Sequence, residues 1–361
     1  MNDNNDVDLN SFINDKRNIN EFKGTTLSRY KKTEVKKELL NNILKNKIEH
    51  ASNWCAELIC SGHFMDIWEI ILLCVGKYIH LGNPKMVLYV EMRYNFFKNI
   101  MNKGHFMSEL DLRNDIQIRK LFAELICVVS LSKKKGYYEP PVKINGKEEF
   151  DITQMTEKFK APNIHFIEPV FKKKDPQEIY IALNEFAYNL SCNNSNSACY
   201  WIEWIVEFNI ICIKKKNHCH CERRDVDVEY KYQRDIVWII WDAIIHHGEN
   251  KEPHISKLLS SLLHLFCIKY TTSSCKKRMH LLYFAVNLLT ENVMVEENFI
   301  YDKEIVQNVV DNINCIYKNI KKNEMSPGTE YLFSSLKEKQ SNFEKSLKKM
   351  DLMNSFSTTT P

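Results

Sequence analysis

The spacing of apolar residues predicts a chain built almost entirely of α-helices. Between Thr33 and Gly62, apolar residues such as Leu39, Ile43 and Leu44 recur three and four positions apart, which places them on one helix face. Gly62 fits the left-handed position that often ends a helix. Similar patterns predict helices at 64–81, from Pro84 towards Gly104, and from Ser108 to Leu131.

A change in composition at residues 132–150 interrupts this helical pattern. The stretch SKKKGYYEPPVKINGKEEF contains two glycines and two adjacent prolines, which favours a long loop with at most a short β-hairpin near 140–151. Downstream, Asp175 fits a helix N-cap and Pro176 the first helical position. The further helices that we predict lie at about 197–213, 229–247, 252–269, 275–291, 302–322 and 329–349.

These patterns predict an all-α fold, either a multi-helix bundle or a helical-repeat-like array. The predicted organisation is a flexible arm (1–30), an N-terminal helical domain (31–131), a loop or linker (132–174), a C-terminal helical domain (175–349) and a disordered tail (350–361). The residues that we expect to be buried are Trp54, Leu58, Trp68, Ile71, Leu125, Trp201, Ile205, Trp238, Ile239, Leu262, Phe266 and Phe284.

Composition favours a folded protein of a reducing compartment. Hydrophobic residues make up 44% of the chain and the net charge is +4, which is too small to indicate a bulk polyanion binder. The polar start MNDNNDVDLNSF differs from a secretory signal, so the twelve cysteines are expected to be free thiols. The longest apolar stretches contain charges and fall short of the ~20 residues of a membrane span.

The sequence signatures of common enzyme classes are absent. The chain contains no GxxxxGK[ST], GxGxxG, HExxH or GxSxG motif. Glu203 and Glu207 lie four positions apart within an apolar helix, and Asp242 and His246 share that spacing. An acid–base site in a helical groove is one interpretation. Helix-edge charges or buried ion pairs are the alternative.

The stretch ICIKKKNHCHCERR, residues 211–224, concentrates cysteine, histidine and cationic side chains. Zinc takes four tetrahedral nitrogen or sulfur ligands, so one structural zinc is a hypothesis, although the C-x₆-C-x-C spacing differs from the usual knuckle. Nearby cations would lower thiol pKa values and favour thiolate ligation. A solvated basic loop with incidental thiols is the alternative. The candidate ligands are Cys212, Cys219, Cys221 and Cys275, with His218 or His220 able to complete the set.

Short basic clusters recur along the chain and predict a surface that follows a phosphate backbone, provided that they meet on one face. Tyr137 and Tyr138 follow the first cluster and would add stacking surfaces. The candidate nucleic-acid contacts are Lys133, Lys134, Lys135, Lys214, Lys215, Lys216, Arg223, Arg224, Lys276, Lys277 and Arg278.

Several segments resemble an uncharacterised protein family of giant (nucleocytoplasmic large) DNA viruses that infect protists and algae. These segments include ASNWCAELICSGHFMDIWEIILLCVGKYIHLGNPKMVLYVEMRYNFF, LDLRNDIQIRKLFAELICVVSL, SACYWIEWIVEFNIIC, CHCERR, QRDIVWIIWD and LFCIKYTTSSCKKR. The resemblance covers about residues 33–345. It implies a viral protein made in the cytoplasm of the host, and it brings no activity with it.

Residues 47–98 also resemble the collar helices of clamp-loader-like AAA+ proteins, which hold subunits in a ring. The matching positions include Ala51, Trp54, Gly62 and Trp68. The chain departs from that family because it has no ATPase module, and Lys77 and Tyr78 replace acidic residues. The resemblance implies a collar-type helical fold without the motor.

These observations predict a non-enzymatic intracellular helical scaffold or adaptor of viral origin, associated with nucleic acid in viral replication or transcription. The expected partners are protein, nucleic acid or a second copy of the chain, and no membrane. The expected location is the host cytoplasm (the viral factory) or the virion. A virion structural component and an enzyme with a carboxylate/histidine site are the alternatives.

Overall fold

The computed structural model describes residues 9–103, 106, 108–135, 144, 150, 156–216, 219–293 and 302–324. Over these residues the predicted all-α fold is confirmed, and two isolated bridges, Thr25–Lys31 and His220–Asp235, take the place of any strand. The helices are α1 (Lys32–Leu44), α2 (Ile48–Cys60), α3 (Phe64–Leu73), α4 (Met86–Lys103), α5 (Glu109–Asn114), α6 (Ile116–Leu131), α7 (Tyr180–Ser191), α8 (Ser195–Lys214), α9 (Val237–Glu249), α10 (Pro253–Cys267), α11 (Thr272–Cys275), α12 (Met279–Thr290) and α13 (Lys303–Lys321).

Several predicted helices are interrupted where local chemistry favours another backbone conformation. Asn46 separates α1 from α2 with a left-handed φ of 55°, which asparagine tolerates better than most residues. Asp115 separates α5 from α6, and its carboxylate accepts the Ile118 amide at 2.8 Å as an N-cap. After α3 the chain continues as a π-helix, Cys74–Ile79, and a 3₁₀ turn, His80–Gly82. Gly62 has the predicted left-handed φ.

Residues 9–30, the described part of the predicted flexible arm, contribute side chains to the core. Ile13, Phe22 and Leu27 are buried in the core. Two buried arginines, Arg113 and Arg119, donate to backbone carbonyls of this segment. The segment contains no α-helix, so these carbonyl oxygens lack the amide donors of a helix. The two guanidinium groups supply hydrogen bonds in their place. Residues 1–8 lie outside the described residues.

Helix α12 lies at the centre of the C-terminal half. Every residue from Met279 to Leu289 is buried, and the helix packs against α3, α7, α8, α9, α10 and the π-helix. A helix that is buried on all sides requires neighbours on every face. The His280 ring packs against Gly76 of the π-helix, where an added Cβ would lie 2.4 Å from the ring.

The two halves of the chain share one continuous hydrophobic cluster. Helix α13, which follows the C-terminal helices in sequence, packs on α2 and α6 of the N-terminal half. The expected core is confirmed at eleven of twelve positions, and the exception, Trp54, is half-buried with its ring centroid 5.3 Å from that of Tyr30. The division into domains stays a prediction. The hairpin near 140–151 and the tail at 350–361 fall outside the described residues, apart from 144 and 150.

None of the described helices has both the length and the apolar character that crossing a membrane requires.

Arg278 is a structural residue and not the exposed phosphate contact that its sequence neighbours suggested. It is 1% exposed, and it donates to the carbonyls of Phe266 and Ile268 at 2.7 and 2.5 Å. It also forms an ion pair with Glu69 of α3. Arg278 therefore ties the end of α10 to α3.

We expect Arg278→Ala to lower the free energy of unfolding by about 3–5 kcal/mol, because it leaves a carboxylate and two carbonyls without their partner. The control is Lys277→Ala, since Lys277 is exposed and should change stability by less than about 0.5 kcal/mol. Urea denaturation at neutral pH measures both. Equal, small effects of the two variants would contradict the structural role.

We expect part of the acid sensitivity of the fold to come from His280. Burial lowers the pKa of this histidine from its ordinary 6.5 to about 4, so the unfolded chain binds a proton that the folded protein excludes. Stability should therefore fall as pH drops through this window, by about 2 kcal/mol between pH 7 and pH 4.5. His280→Gln, which keeps a donor for the Leu72 carbonyl, should lose that much less over the same range in urea titrations. An equal loss in both proteins would contradict the assignment.

Candidate binding pocket

A pocket of about 690 Å³ lies beside the C-terminal half of α8. Its other walls come from residues 219–220, from the start of α9 and from the segment 270–276. The pocket is predominantly apolar because α8, the first residue of α9 and the residue before it present branched aliphatic side chains to it. These side chains are Val206, Ile210, Ile213, Ile236 and Val237.

Asp235 supplies a carboxyl group to this apolar pocket. Its Oδ2 accepts hydrogen bonds from the Tyr270 hydroxyl at 2.9 Å and from the Thr272 hydroxyl at 2.8 Å. Burial raises the pKa of Asp235, although the two hydroxyl donors oppose that shift. Burial also raises the pKa of Tyr270 far above its ordinary value, so the phenol keeps the proton that it donates.

The mouth of the pocket is cationic and aromatic. Lys214, Lys231 and Lys276 all line the pocket and are exposed. Lys276 forms an ion pair with Glu207 at 2.9 Å. Tyr230, which precedes Lys231, is 70% exposed, and the Arg223 guanidinium lies 4.3 Å from the centre of its ring.

The buried guanidinium of Arg224 fixes the cysteine-rich stretch against the rest of the fold. Arg224 donates to both oxygens of Asp175, at 2.8 and 2.7 Å, and to Asp242 at 2.6 Å. Asp175 therefore does not cap a helix, as its sequence context predicted, because its carboxylate is committed to Arg224 and to the Glu222 amide. Helix α7 begins instead at Tyr180, after a 3₁₀ turn.

Arg224 is consequently not the nucleic-acid contact that we predicted. The side chain is 3% exposed and enclosed by two carboxylates, so it has no access to a phosphate. Its neighbour Arg223 is exposed. The isolated bridge between His220 and Asp235 connects the same stretch to the pocket wall.

Burial dominates the chemistry of the candidate zinc ligands. It raises the thiol pKa of Cys219 to about 11 and of Cys221 and Cys275 to about 12, and it also raises that of Cys212. The nearby cations were predicted to lower these thiol pKa values, but the effect of burial is larger. Cys221 donates its thiol to the Asp235 carbonyl at 3.3 Å.

No group of three or more His, Cys, Asp or Glu among the described residues is arranged to hold a metal ion. His218 lies outside that part of the chain. Cys219 and Cys275 nevertheless both line the pocket, so two of the four candidate ligands reach the same place. The zinc hypothesis gains no support from this arrangement.

The residues of the candidate acid–base site are each engaged with a different partner. Glu203 accepts from Tyr283, and Glu207 pairs with Lys276. Asp242 pairs with Arg224, and His246 lies 3.3 Å from Glu249. This arrangement favours the alternative interpretation, in which these side chains are helix-edge charges or members of ion pairs.

The basic clusters divide between two regions. Lys214 and Lys276 both line the pocket and are exposed at its mouth. Lys134 instead donates to the Ser130 carbonyl at 2.7 Å, and Lys135 pairs with Glu291 just beyond the C-terminus of α12. Lys276 precedes the N-terminus of that helix. The regions of Lys135 and Lys276 therefore lie at opposite ends of α12, whose twelve residues span about 18 Å. Tyr137 and Tyr138 lie outside the described residues.

Comparison of the chain with protein-family models, curated proteins and solved structures gives no match. Asp235, Tyr270 and Thr272 are not among the site residues that the sequence predicted. One signal was present, because basic and aromatic residues alternate in YKYQRD, directly before α9. That alternation is typical of surfaces that stack and neutralise nucleic acids.

We expect the buried thiols of the pocket region to resist alkylation in the folded protein. At pH 8, iodoacetamide should modify exposed Cys192 and Cys315 before Cys221 and Cys275, because only thiolates react. Mass spectrometry of peptides at successive times gives the order. In denaturant, all twelve cysteines should react at similar rates. Early modification of Cys275 in the native protein would contradict the burial that we describe.

Proposed function

We propose that the protein is a non-enzymatic helical adaptor that binds nucleic acid at the mouth of this pocket, in the replication or transcription of a giant DNA virus. One observation carries the proposal. Lys214 and Lys276, from basic clusters far apart in the sequence, both line one apolar pocket. The viral context comes from the family resemblance of the sequence.

Charge and aromatic character at the mouth support a nucleic-acid partner. Exposed lysines neutralise phosphates with little dependence on base sequence. Tyr230, the neighbour of Lys231 in the sequence, adds an exposed ring, and bases stack on such rings. The cations at this mouth come from three segments, since Lys231 joins the two clusters.

The contacts of the carboxylates favour a binding role over a catalytic one. A general base must be free to approach its substrate, whereas Asp242 is held in an ion pair by Arg224 and Glu203 accepts a hydrogen bond from the Tyr283 hydroxyl. Among the described residues these carboxylates stabilise tertiary contacts.

The test is a triple variant, Lys214→Ala, Lys231→Ala and Lys276→Ala, titrated with fluorescent single-stranded and duplex DNA. We expect affinity for every sequence to fall about tenfold or more at low salt. The slope of log K against log salt should also flatten, since each lost phosphate contact removes about 0.7 from the single-strand slope and about 0.9 from the duplex slope.

The matched control removes three exposed lysines from other helices, through Lys37→Ala, Lys120→Ala and Lys257→Ala. It lowers the net charge equally and should leave both slopes nearly unchanged. Equal effects of the two triple variants would mean that only net charge matters. No binding of the unmodified protein to any DNA or RNA at low salt would overturn the proposal.

A further inference from the structure

We propose that the pocket takes one unstacked base of a single-stranded nucleic acid, and that Asp235 recognises the amino group on the edge of that base. The inference rests on the proposed function and deepens it, because it names the strand type and the chemical group that the site recognises.

The dimensions and lining of the pocket suit a planar group with apolar faces. Its volume of about 690 Å³ lies within the range of about 300–1,000 Å³ that is typical of small-molecule sites. Ile210 and Ile213 of α8 form one wall, and Val237 of α9 with the preceding Ile236 contributes another. The faces of a nucleobase pack on such walls, while its edge requires a polar partner.

Asp235 provides that partner, with an orientation fixed by its neighbours. Tyr270 and Thr272 both donate to Oδ2, and neither bond uses Oδ1. The carboxylate can therefore accept a further hydrogen bond from a ligand. Carboxylates accept from the N4 amino group of cytosine, and the N6 amino group of adenine is an equivalent donor. Thymine and uracil present an acceptor oxygen at that edge, which the carboxylate would repel.

The mouth of the pocket fits the backbone on either side of an inserted base. Lys214 and Lys276 lie where the flanking phosphates would pass, and exposed Tyr230 can stack on the next base. A base within a duplex is paired and stacked, so it cannot enter the pocket without unpairing. The site should therefore favour single strands over duplexes of the same sequence.

The test compares oligo(dC) and oligo(dT) of twelve nucleotides at pH 7.5, by fluorescence anisotropy. The two probes carry the same backbone charge, so the lysine contribution cancels in the ratio of their affinities. We expect oligo(dC) to bind about tenfold more tightly. Asp235→Asn should abolish that preference, because the amide can donate to the thymine oxygen. It keeps an oxygen for Tyr270 and Thr272.

Asp225→Asn is the matched control, since Asp225 is exposed and the charge change is the same. It should leave the preference for oligo(dC) intact. As a second variant, Ile210→Trp fills the pocket without altering charge. It should weaken oligo(dC) binding about tenfold and leave duplex binding unchanged. Thermal melting confirms that each variant is folded.

The outcomes separate the two proposals. Equal binding of oligo(dC) and oligo(dT) that still depends on Lys214 and Lys276 would overturn the base pocket and leave the adaptor function standing. The same conclusion follows if Ile210→Trp changes nothing. Absence of binding to any oligonucleotide would overturn both.

Discussion

The architecture depends on the complete enclosure of α12. A helix that is apolar around its whole circumference is stable only when other elements cover every face, and five helices together with the π-helix do so here. The polar groups at its N-terminal end must then find internal partners, as Arg278 does with Glu69 and His280 with the Leu72 carbonyl. Because the chain enters α12 through residues 270–278, this enclosure also fixes one wall of the pocket.

The opposite wall depends on a buried ion-pair cluster. Arg224 joins Asp175, which precedes α7, to Asp242 on α9, and thereby holds the stretch 219–224 against the start of α9. Buried ion pairs contribute little net stability, because desolvation opposes the attraction, but removing one partner is costly. Arg224 is therefore best understood as a residue that fixes geometry. Cys221 is buried as a consequence, and His220 and Asp235 are brought together at the pocket.

The pocket has exposed lysines at its mouth and a buried carboxyl group on its wall. Lysines at the mouth are exposed, where screening by salt limits each contact, so they supply attraction with little selectivity. Asp235 is 8% exposed and lies among apolar walls, where a mismatched hydrogen-bonding group costs more. This separation explains why the proposed attraction to phosphate and the proposed recognition of a base reside in different residues and respond to different variants.

The sequence by itself determined the helices and the core, because the 3.6-residue period and the caps are local properties of the chain. The breaks at Asn46 and Asp115 were missed because the apolar period continues across them. Only the tertiary structure decided which cations are available. Arg223 and Arg224 are adjacent, as are Lys277 and Arg278, yet one of each pair is exposed and the other buried. Their roles depend on carboxylates far away in the chain, and no local pattern specifies which distant groups the fold brings into contact.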